Sequence, residues 1–193
     1  MKKSKIIAIA TAIPVLSFIY VNNDKNVQDC LLDDPNIINE VTKVTSVDTL
    51  YEECINHIKK YESFSDTIYI DNDGSRTIGY GHHISKLEKF KNTISEKRAD
   101  RLLRKDFNKK LKWVKKKYNL EDNKSYALAL FAFNIGETKL NNSTLNKLVL
   151  EGKSIDTEIV KWKWFKYRGK YKENKRLKER RKFELKIFNS KKV

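Results

Sequence analysis

The chain has 193 residues, with 41 lysines and arginines against 25 aspartates and glutamates, and its formal net charge is +16. This length fits one folded domain with an appendage, and a hydrophobic content of 39% excludes a wholly disordered chain. So large a positive charge does not specify a fold, but it favours anionic partners such as wall polymers, lipid head groups or nucleic acid. Neither a Gly-rich phosphate loop nor a Cys/His cluster with metal-ligand spacing occurs, so we expect no cofactor and no metal.

The first 21 residues combine a basic start with an uncharged, mostly apolar run over residues 6–21. This pattern is typical of an export signal or a membrane anchor, and no small-x-small cleavage site follows it. We predict that residues 1–21 are cleaved, retained or released after export, with an uncleaved anchor favoured. The remainder of the chain would then lie in the periplasm or on the cell-wall side of the membrane.

Residues 22–46 are polar and rich in Asn, without a sustained period, which predicts a linker before a folded domain at residues 47–193. The linker carries Cys30, and the only other cysteine, Cys54, falls in the helix that we predict next. In an oxidising compartment the two could form one disulfide. The alternative is that Cys54 is a small core residue and Cys30 an incidental thiol.

A predicted helix and hairpin bring two carboxyls and a hydroxyl together. Apolar residues recur at three- and four-residue steps over residues 47–61, which predicts an amphipathic helix with Glu62 on its last turn. The pattern then alternates around turn residues 72–74, which predicts a β-hairpin that carries Asp71 and Thr77. A carboxyl shielded at a helix end can act as a general acid, whereas one beside a polar turn stays ionised. Each residue alone is more commonly a surface or turn residue, but together they are the parts of an inverting glycoside hydrolase.

The spacing of Glu62, Asp71 and Thr77, followed by Ile-Gly-Tyr-Gly-His82, resembles the active-site signature of the phage-type lysozymes, glycoside hydrolase family 24. Three later segments resemble this family in the same order: residues 127–136, 143–152 and 177–184. The resemblance implies an α+β, mostly helical, lysozyme-like fold, in which a long helix joins a small lobe bearing a β-hairpin to a helical C-terminal lobe. It also implies an endolysin that hydrolyses the β-1,4 bond between N-acetylmuramic acid and N-acetylglucosamine in peptidoglycan.

The resemblance assigns roles to individual residues. Glu62 would protonate the leaving sugar, while Asp71 and Thr77 would position the attacking water. Either Arg180 or Arg181 would form an ion pair with Glu62. Four further residues would bind substrate or support the cleft, with the histidine holding its loop by hydrogen bonds: Gly81, His82, Phe133 and Asn134.

Two positions depart from the family pattern. Ser63 stands where the family commonly has Gly after the catalytic Glu, and Arg176 stands where Gly is common before Leu177. Neither change removes a chemical group. The first puts in question how the helix that carries Glu62 meets the hairpin.

Helical patterns continue along the rest of the chain, over residues 95–118, 126–133, 143–152, 156–167 and 173–188. The fourth of these segments and the residues just after it contain five aromatic residues interleaved with lysines: Trp162, Trp164, Phe165, Tyr167 and Tyr171. Aromatic residues among lysines can stack on nucleic acid. In the absence of a nucleic-acid-binding motif, we expect instead that they pack a helix against the core, and we expect no nucleic-acid partner.

Two other functions stay open on the sequence alone. A lytic transglycosylase uses one Glu and an internal sugar hydroxyl, so it would not need Asp71 and Thr77. A non-catalytic, cationic wall- or membrane-binding protein would tolerate the loss of Glu62 as well. We expect a monomeric enzyme whose partners are peptidoglycan and, through residues 1–21, a membrane.

Overall fold

The computed structural model describes the backbone of residues 35–71 and 74–190, and the side chains of these ranges from residue 49 onward. The chain divides into two compact units at residues 48 and 49. The first unit is described only over residues 35–48, which are helical, so the predicted export segment and Cys30 lie outside the described residues. In the part that is described, no helix combines the length and the apolar character needed to cross a membrane.

The described elements follow one another in this order: α1 (Pro35–Glu62), β1 (Ser65–Ile70), β2 (Arg76–Gly79), β3 (His82–His83), α2 (Glu96–Tyr118), α3 (Asp122–Ile135), α4 (Glu137–Asn141), α5 (Thr144–Leu150), α6 (Asp156–Ile159), a 3₁₀ turn (Val160–Lys163), β4 (Trp164–Tyr167), β5 (Lys170–Glu173) and α7 (Lys175–Phe188). The predicted α+β, mostly helical fold is confirmed. Helix α1 begins earlier than expected, so residues 35–46, which we predicted as part of a linker, are helical.

The small sheet is an antiparallel meander in the order β1–β2–β3. The register of β1 and β2 places Tyr69 opposite Thr77, and the register of β2 and β3 places His83 opposite Thr77 from the other side. The turn between β1 and β2 is closed by backbone hydrogen bonds from the Asp71 N–H to the Ser75 carbonyl and from the Gly74 N–H to the Asp71 carbonyl. The hairpin predicted from the alternating pattern is therefore confirmed.

The helical lobe is built around α3, which is buried along most of its length, as its nearly continuous apolar sequence predicts. Helices α2 and α7 pack against it. The core between them contains fully buried aromatic side chains, Phe107 from α2 and Phe131 from α3. Ser95 caps α2, as predicted, by accepting a hydrogen bond from the Arg98 N–H. This long helix connects the sheet to the helical lobe.

The predicted helix over residues 156–167 is wrong. Helix α6 ends at Ile159, and after the 3₁₀ turn the chain forms the antiparallel β4–β5 ribbon. Arg168 and Gly169 join the strands with positive φ angles of 46° and 80°, as a type I′ hairpin turn requires. The expectation that the aromatic residues pack a helix against the core holds only for Trp162, whose ring lies 5.3 Å from that of Phe131. The four aromatic residues of the ribbon are exposed.

Candidate active site

Glu62 is the last residue of α1, and its carboxylate is held by an arginine from α7. The Arg180 Nη1 atom donates a hydrogen bond of 2.9 Å to Glu62 Oε1, and the guanidinium also lies over the ring of Tyr61 at 5.2 Å. Arg180 is buried, whereas the Glu62 side chain retains 28% of its exposure. Of the two arginines that the sequence offered as partners of Glu62, Arg180 is the one that pairs with it.

The backbone on either side of the Glu62 carboxylate has an unusual conformation. The chain leaves α1 through Ser63, whose φ of 59° lies in the left-handed region that favours glycine. Gly81, with a φ of 80°, approaches the carboxylate from the loop between β2 and β3. A Cβ atom at Gly81 would lie 3.8 Å from Glu62 Oε2. The absence of a side chain at this glycine therefore leaves room beside the oxygen that Arg180 does not bind.

Tyr69 on β1 is a residue of the hairpin on which the charges of both Asp71 and Glu62 act. Because Tyr69 lies directly opposite Thr77, the two side chains project from the same face of the hairpin. Burial raises the pKa of Tyr69, and the negative charges of Asp71 and Glu62 raise it further. The phenol therefore lies in the field of both carboxylates. The sequence pattern did not single out Tyr69.

Thr77 is fully buried, and its hydroxyl lies 3.3 Å from Nδ1 of His83. The same ring nitrogen lies 2.8 Å from the Ser75 hydroxyl. His83 is a second residue that the sequence reasoning missed, and its strand register beside Thr77 is the only signal that could have found it.

His82 ties the sheet to α2. Its Nδ1 atom lies 2.5 Å from Asp106 Oδ2 and its Nε2 atom 3.3 Å from Glu88 Oε2. The hydrogen bond to Asp106 raises the pKa of His82 against the opposing effect of burial, and the charges of Asp106 and Glu88 raise it further. These contacts fix the loop that carries Gly81, so His82 supports the site through the position of its neighbour.

A cleft of about 720 Å³ lies between the sheet and the end of α3. All four residues predicted to bind substrate or support the cleft line it: Gly81, His82, Phe133 and Asn134. The Arg181 Nη2 atom donates a hydrogen bond of 2.9 Å to Asn134 Oδ1 and one of 2.8 Å to Glu184 Oε1. Arg181 thus orients Asn134 and does not pair with Glu62. Glu62 itself does not line this cavity but borders it at Gly81.

Cys54 is fully buried on α1, and burial raises the pKa of its thiol. Its predicted partner, Cys30, lies outside the described residues, so the disulfide stays a prediction. Among the side chains that the structure describes, no group of three or more His, Cys, Asp or Glu residues is placed to hold a metal ion.

The sequence model of the phage lysozyme family matches residues 59–184, a segment that contains each of the residues described around Glu62. The chain belongs to the phage lysozyme family. It is 33% identical over 114 residues to the endolysin of Bacillus phage B103, in a match that covers 56% of this chain and 43% of that protein. It is 32% identical over 138 residues to the endolysin of Acyrthosiphon pisum secondary endosymbiont phage 1, covering 69% of this chain and 92% of the relative.

The fold of this family member also occurs in solved structures. The muramidase domain of SpmX from Asticaccaulis excentricus aligns with a TM-score of 0.64 and 26% identity, over 72% of this chain and 96% of that one. The chain spans about half the length of the two Bacillus phage endolysins that it matches. The predicted family and the lysozyme-like fold are confirmed.

Proposed function

We propose that this phage lysozyme is a muramidase that hydrolyses the β-1,4 bond between N-acetylmuramic acid and N-acetylglucosamine in peptidoglycan, with inversion. The observation that carries the proposal is the Glu62 carboxylate at the end of α1, which Arg180 binds at Oε1 and Gly81 leaves open at Oε2, with Thr77 on the hairpin that follows. These residues lie within the segment that matches the family, and Glu62 borders a cleft of about 720 Å³ at Gly81. This reaction requires two carboxyl groups on opposite sides of the glycosidic bond, one protonated as the acid and one ionised as the base.

Glu62 serves as the general acid in this proposal. Arg180 binds Oε1, so Oε2 beside Gly81 is the oxygen that carries the proton towards the glycosidic oxygen. As that proton is transferred, the bond between the anomeric carbon and the glycosidic oxygen breaks, and the leaving sugar departs with a new hydroxyl group. Arg180 keeps the carboxyl in one orientation through the reaction, and it stabilises the negative charge that remains.

Asp71 serves as the general base on the opposite face of the sugar. It accepts a proton from the attacking water, whose oxygen forms the new bond to the anomeric carbon. The Thr77 hydroxyl orients this water, and His83 fixes the direction of the hydroxyl through the 3.3 Å contact at Nδ1.

Replacing His83 with Leu should therefore lower kcat by about tenfold with little change in KM. His83→Asn, which keeps a hydrogen-bonding group at this position, should retain more activity, and equal losses in the two variants would remove His83 from this role.

The proposal is tested by digestion of purified murein with the full chain, followed by mass spectrometry of the new chain ends. We expect reducing muramic-acid ends from the wild type and none from Glu62→Gln or Asp71→Asn. Glu53→Gln is the matched control, because Glu53 is an exposed carboxylate on the same helix, and it should retain full activity. Anhydro ends would assign a lytic transglycosylase, and intact murein with the wild type would favour a cationic wall-binding protein.

The setting of the reaction remains a prediction too. Residues 1–21 would export the chain and hold it at a membrane, so that the lysozyme unit faces the wall. Cell fractionation of the full chain beside a chain with Ile7→Lys and Ile9→Lys would test this, since charges in the apolar run should prevent export. Equal amounts of both proteins on the wall side would contradict the prediction.

A further inference from the structure

The β4–β5 ribbon, residues 164–173, exposes aromatic side chains on both of its faces. Opposed residues in an antiparallel pair project from the same face. Lys166 lies opposite Tyr171, two residues along β4 from Trp164, so Trp164 and Tyr171 share one face. Their side chains are 48% and 72% exposed. We call this the Trp face of the ribbon.

The other face, which we call the Phe face, carries Phe165 and Tyr167. Phe165 lies opposite Lys172, and Tyr167 lies opposite Lys170. The two rings are 6.4 Å apart and are 39% and 45% exposed. No residue of either strand is buried. Exposed aromatic area of this extent on a short ribbon is a mark of an interaction surface.

The ribbon is also strongly basic. Its basic side chains, which are all exposed, are Lys166, Arg168, Lys170 and Lys172. The only acidic residue, Glu173, is paired with Lys163 at 2.9 Å and with Lys178 at 2.8 Å. The charge that the ribbon presents to a partner is therefore positive, and the partner is anionic.

We propose that the β4–β5 ribbon docks on the surface of an anionic lipid bilayer. Aromatic residues on two opposite faces leave water together when the whole ribbon enters a layer. The interfacial region of a bilayer is such a layer, and it favours Trp and Tyr. Long lysine side chains can reach the head groups from there, and each is attracted to anionic lipids. This contact is separate from residues 1–21 and does not depend on the proposed function.

A ligand on the Trp face is the main competing occupant. A cavity of about 900 Å³ lies on that side, lined by Trp162, Trp164 and Tyr171 among polar residues of segments 138–144 and 158–161. A sugar or a linear wall polymer in this cavity would use the Trp face alone. It would leave Phe165 and Tyr167 in water, so the two faces of the ribbon distinguish the two occupants.

The test is sedimentation of the full chain with phosphatidylglycerol–phosphatidylcholine vesicles and with phosphatidylcholine vesicles. Two double variants, Trp164→Ser/Tyr171→Ser and Phe165→Ser/Tyr167→Ser, each remove one aromatic face. Leu87→Ser is the matched control, because Leu87 is 94% exposed in a loop of the small lobe. All four proteins, the wild-type reference included, carry Ile7→Lys and Ile9→Lys, so that the membrane insertion predicted for residues 1–21 does not mask a change at the ribbon.

We expect each double variant to lower the partition coefficient on anionic vesicles by about tenfold or more, and Leu87→Ser to leave it unchanged. Wild-type binding should be weaker on phosphatidylcholine alone. A loss confined to the Trp-face variant would overturn the proposal in favour of a ligand in the cavity. Equal binding by all four proteins would overturn it as well. The proposal would also be overturned if the chain associates with itself in the absence of vesicles and both double variants abolish this association, because a second copy would then be the partner.

Fluorescence gives an independent measurement that a loss of folding cannot imitate. The difference in emission between the wild type and Trp164→Phe isolates Trp164 from the other two tryptophans of the chain. With anionic vesicles whose acyl chains are brominated, we expect this difference emission to shift to the blue and to be quenched. Bound protein whose Trp164 emission is unquenched would show that another part of the chain holds the membrane.

Discussion

The buried ion pair between Arg181 and Glu184 gives the sharpest prediction about stability. Both side chains are only 1% exposed, and Nη2 of the arginine lies 2.8 Å from Oε1 of the glutamate one turn later on α7. The guanidinium also lies over the ring of Phe131 at 4.5 Å and binds Asn134. Burial lowers the pKa of Arg181 and raises that of Glu184, so each charge persists in the core mainly because the other neutralises it.

Replacing Arg181 with Met should therefore be costly. Removing one partner of a buried pair costs about 3–5 kcal/mol, because the other charge is left in a medium that solvates it poorly. Neither side chain reaches solvent here, and the nearby charge of Arg180 compensates only in part, so we expect about 4 kcal/mol. For a domain of this size, that corresponds to a loss of roughly 8–16 °C in Tm. The double variant Arg181→Met/Glu184→Leu removes both charges and should recover most of the loss.

Urea and thermal unfolding of the wild type, the two single variants and the double variant at about pH 7 would measure these differences, with Lys182→Met as a control on the exposed side of α7. The reasoning is refuted if Arg181→Met costs less than about 1 kcal/mol, or if the double variant is as unstable as the sum of its parts. Activity provides a second readout. Even where the double variant is stable, Asn134 has lost its donor, so KM should rise.

Three further predictions concern the sheet and the loop around Glu62. The pKa of His82 is raised in the folded chain, so stabilisation by the pair with Asp106 is complete below about pH 6.5 and is lost as the pH rises through the folded value. Asp106→Asn should remove most of this dependence and leave the smaller part due to Glu88. The loss should be about 1.5–3 kcal/mol near pH 5.5 by urea unfolding, and an unchanged pH profile would contradict it. Ser63→Gly should stabilise the chain by up to about 1 kcal/mol, because the free energy of strain relieved at the positive φ exceeds the cost of the added entropy of the unfolded chain. A lower Tm of this variant would speak against strain at Ser63. Gly81→Ala should lower the rate of murein clearing by about ten- to hundredfold, since the new methyl group stands beside Glu62 Oε2, and full activity would show that this space is not used.

The elements that the sequence predicts correctly are those whose signals are local. The change from helical to alternating periodicity marks the passage from α1 to the hairpin, and turn residues fix the position of Asp71. Ser95 and Ser143 mark the starts of α2 and α5 because each side chain accepts a hydrogen bond from a backbone N–H three residues later. Near-continuous apolar character marks α3 as buried. All of these are properties of a few neighbouring residues, so one sequence is enough to find them.

The β4–β5 ribbon shows how a local signal can be misread. Aromatic residues at Trp162 and Phe165 fit a helical step of three, but from Phe165 onward aromatic and basic residues alternate about Arg168–Gly169. This alternation is typical of a hairpin. Its aromatic residues do not point to a core, and an exposed ribbon has no burial pattern that would separate the two interpretations.

Other features depend on long-range packing and could not be predicted. Arg180 and Arg181 are neighbours on one helix, and only the packing of α7 decides that the first faces Glu62 and the second faces Asn134. Tyr69 and His83 flank Thr77 through strand register, which depends on how three strands pair. A sequence gives the residue types for these contacts but not the side of the helix or the register on which they depend.

The most direct test of the proposed reaction is the anomeric configuration of the first product, followed by proton NMR during digestion of a murein glycan chain. If Glu62 protonates the leaving oxygen while Asp71 and Thr77 direct a water to the opposite face, the new muramic-acid end must appear first in the α form. Mutarotation should then produce the β form. A β product at the earliest times, or an anhydro end in its place, would contradict this account of the site.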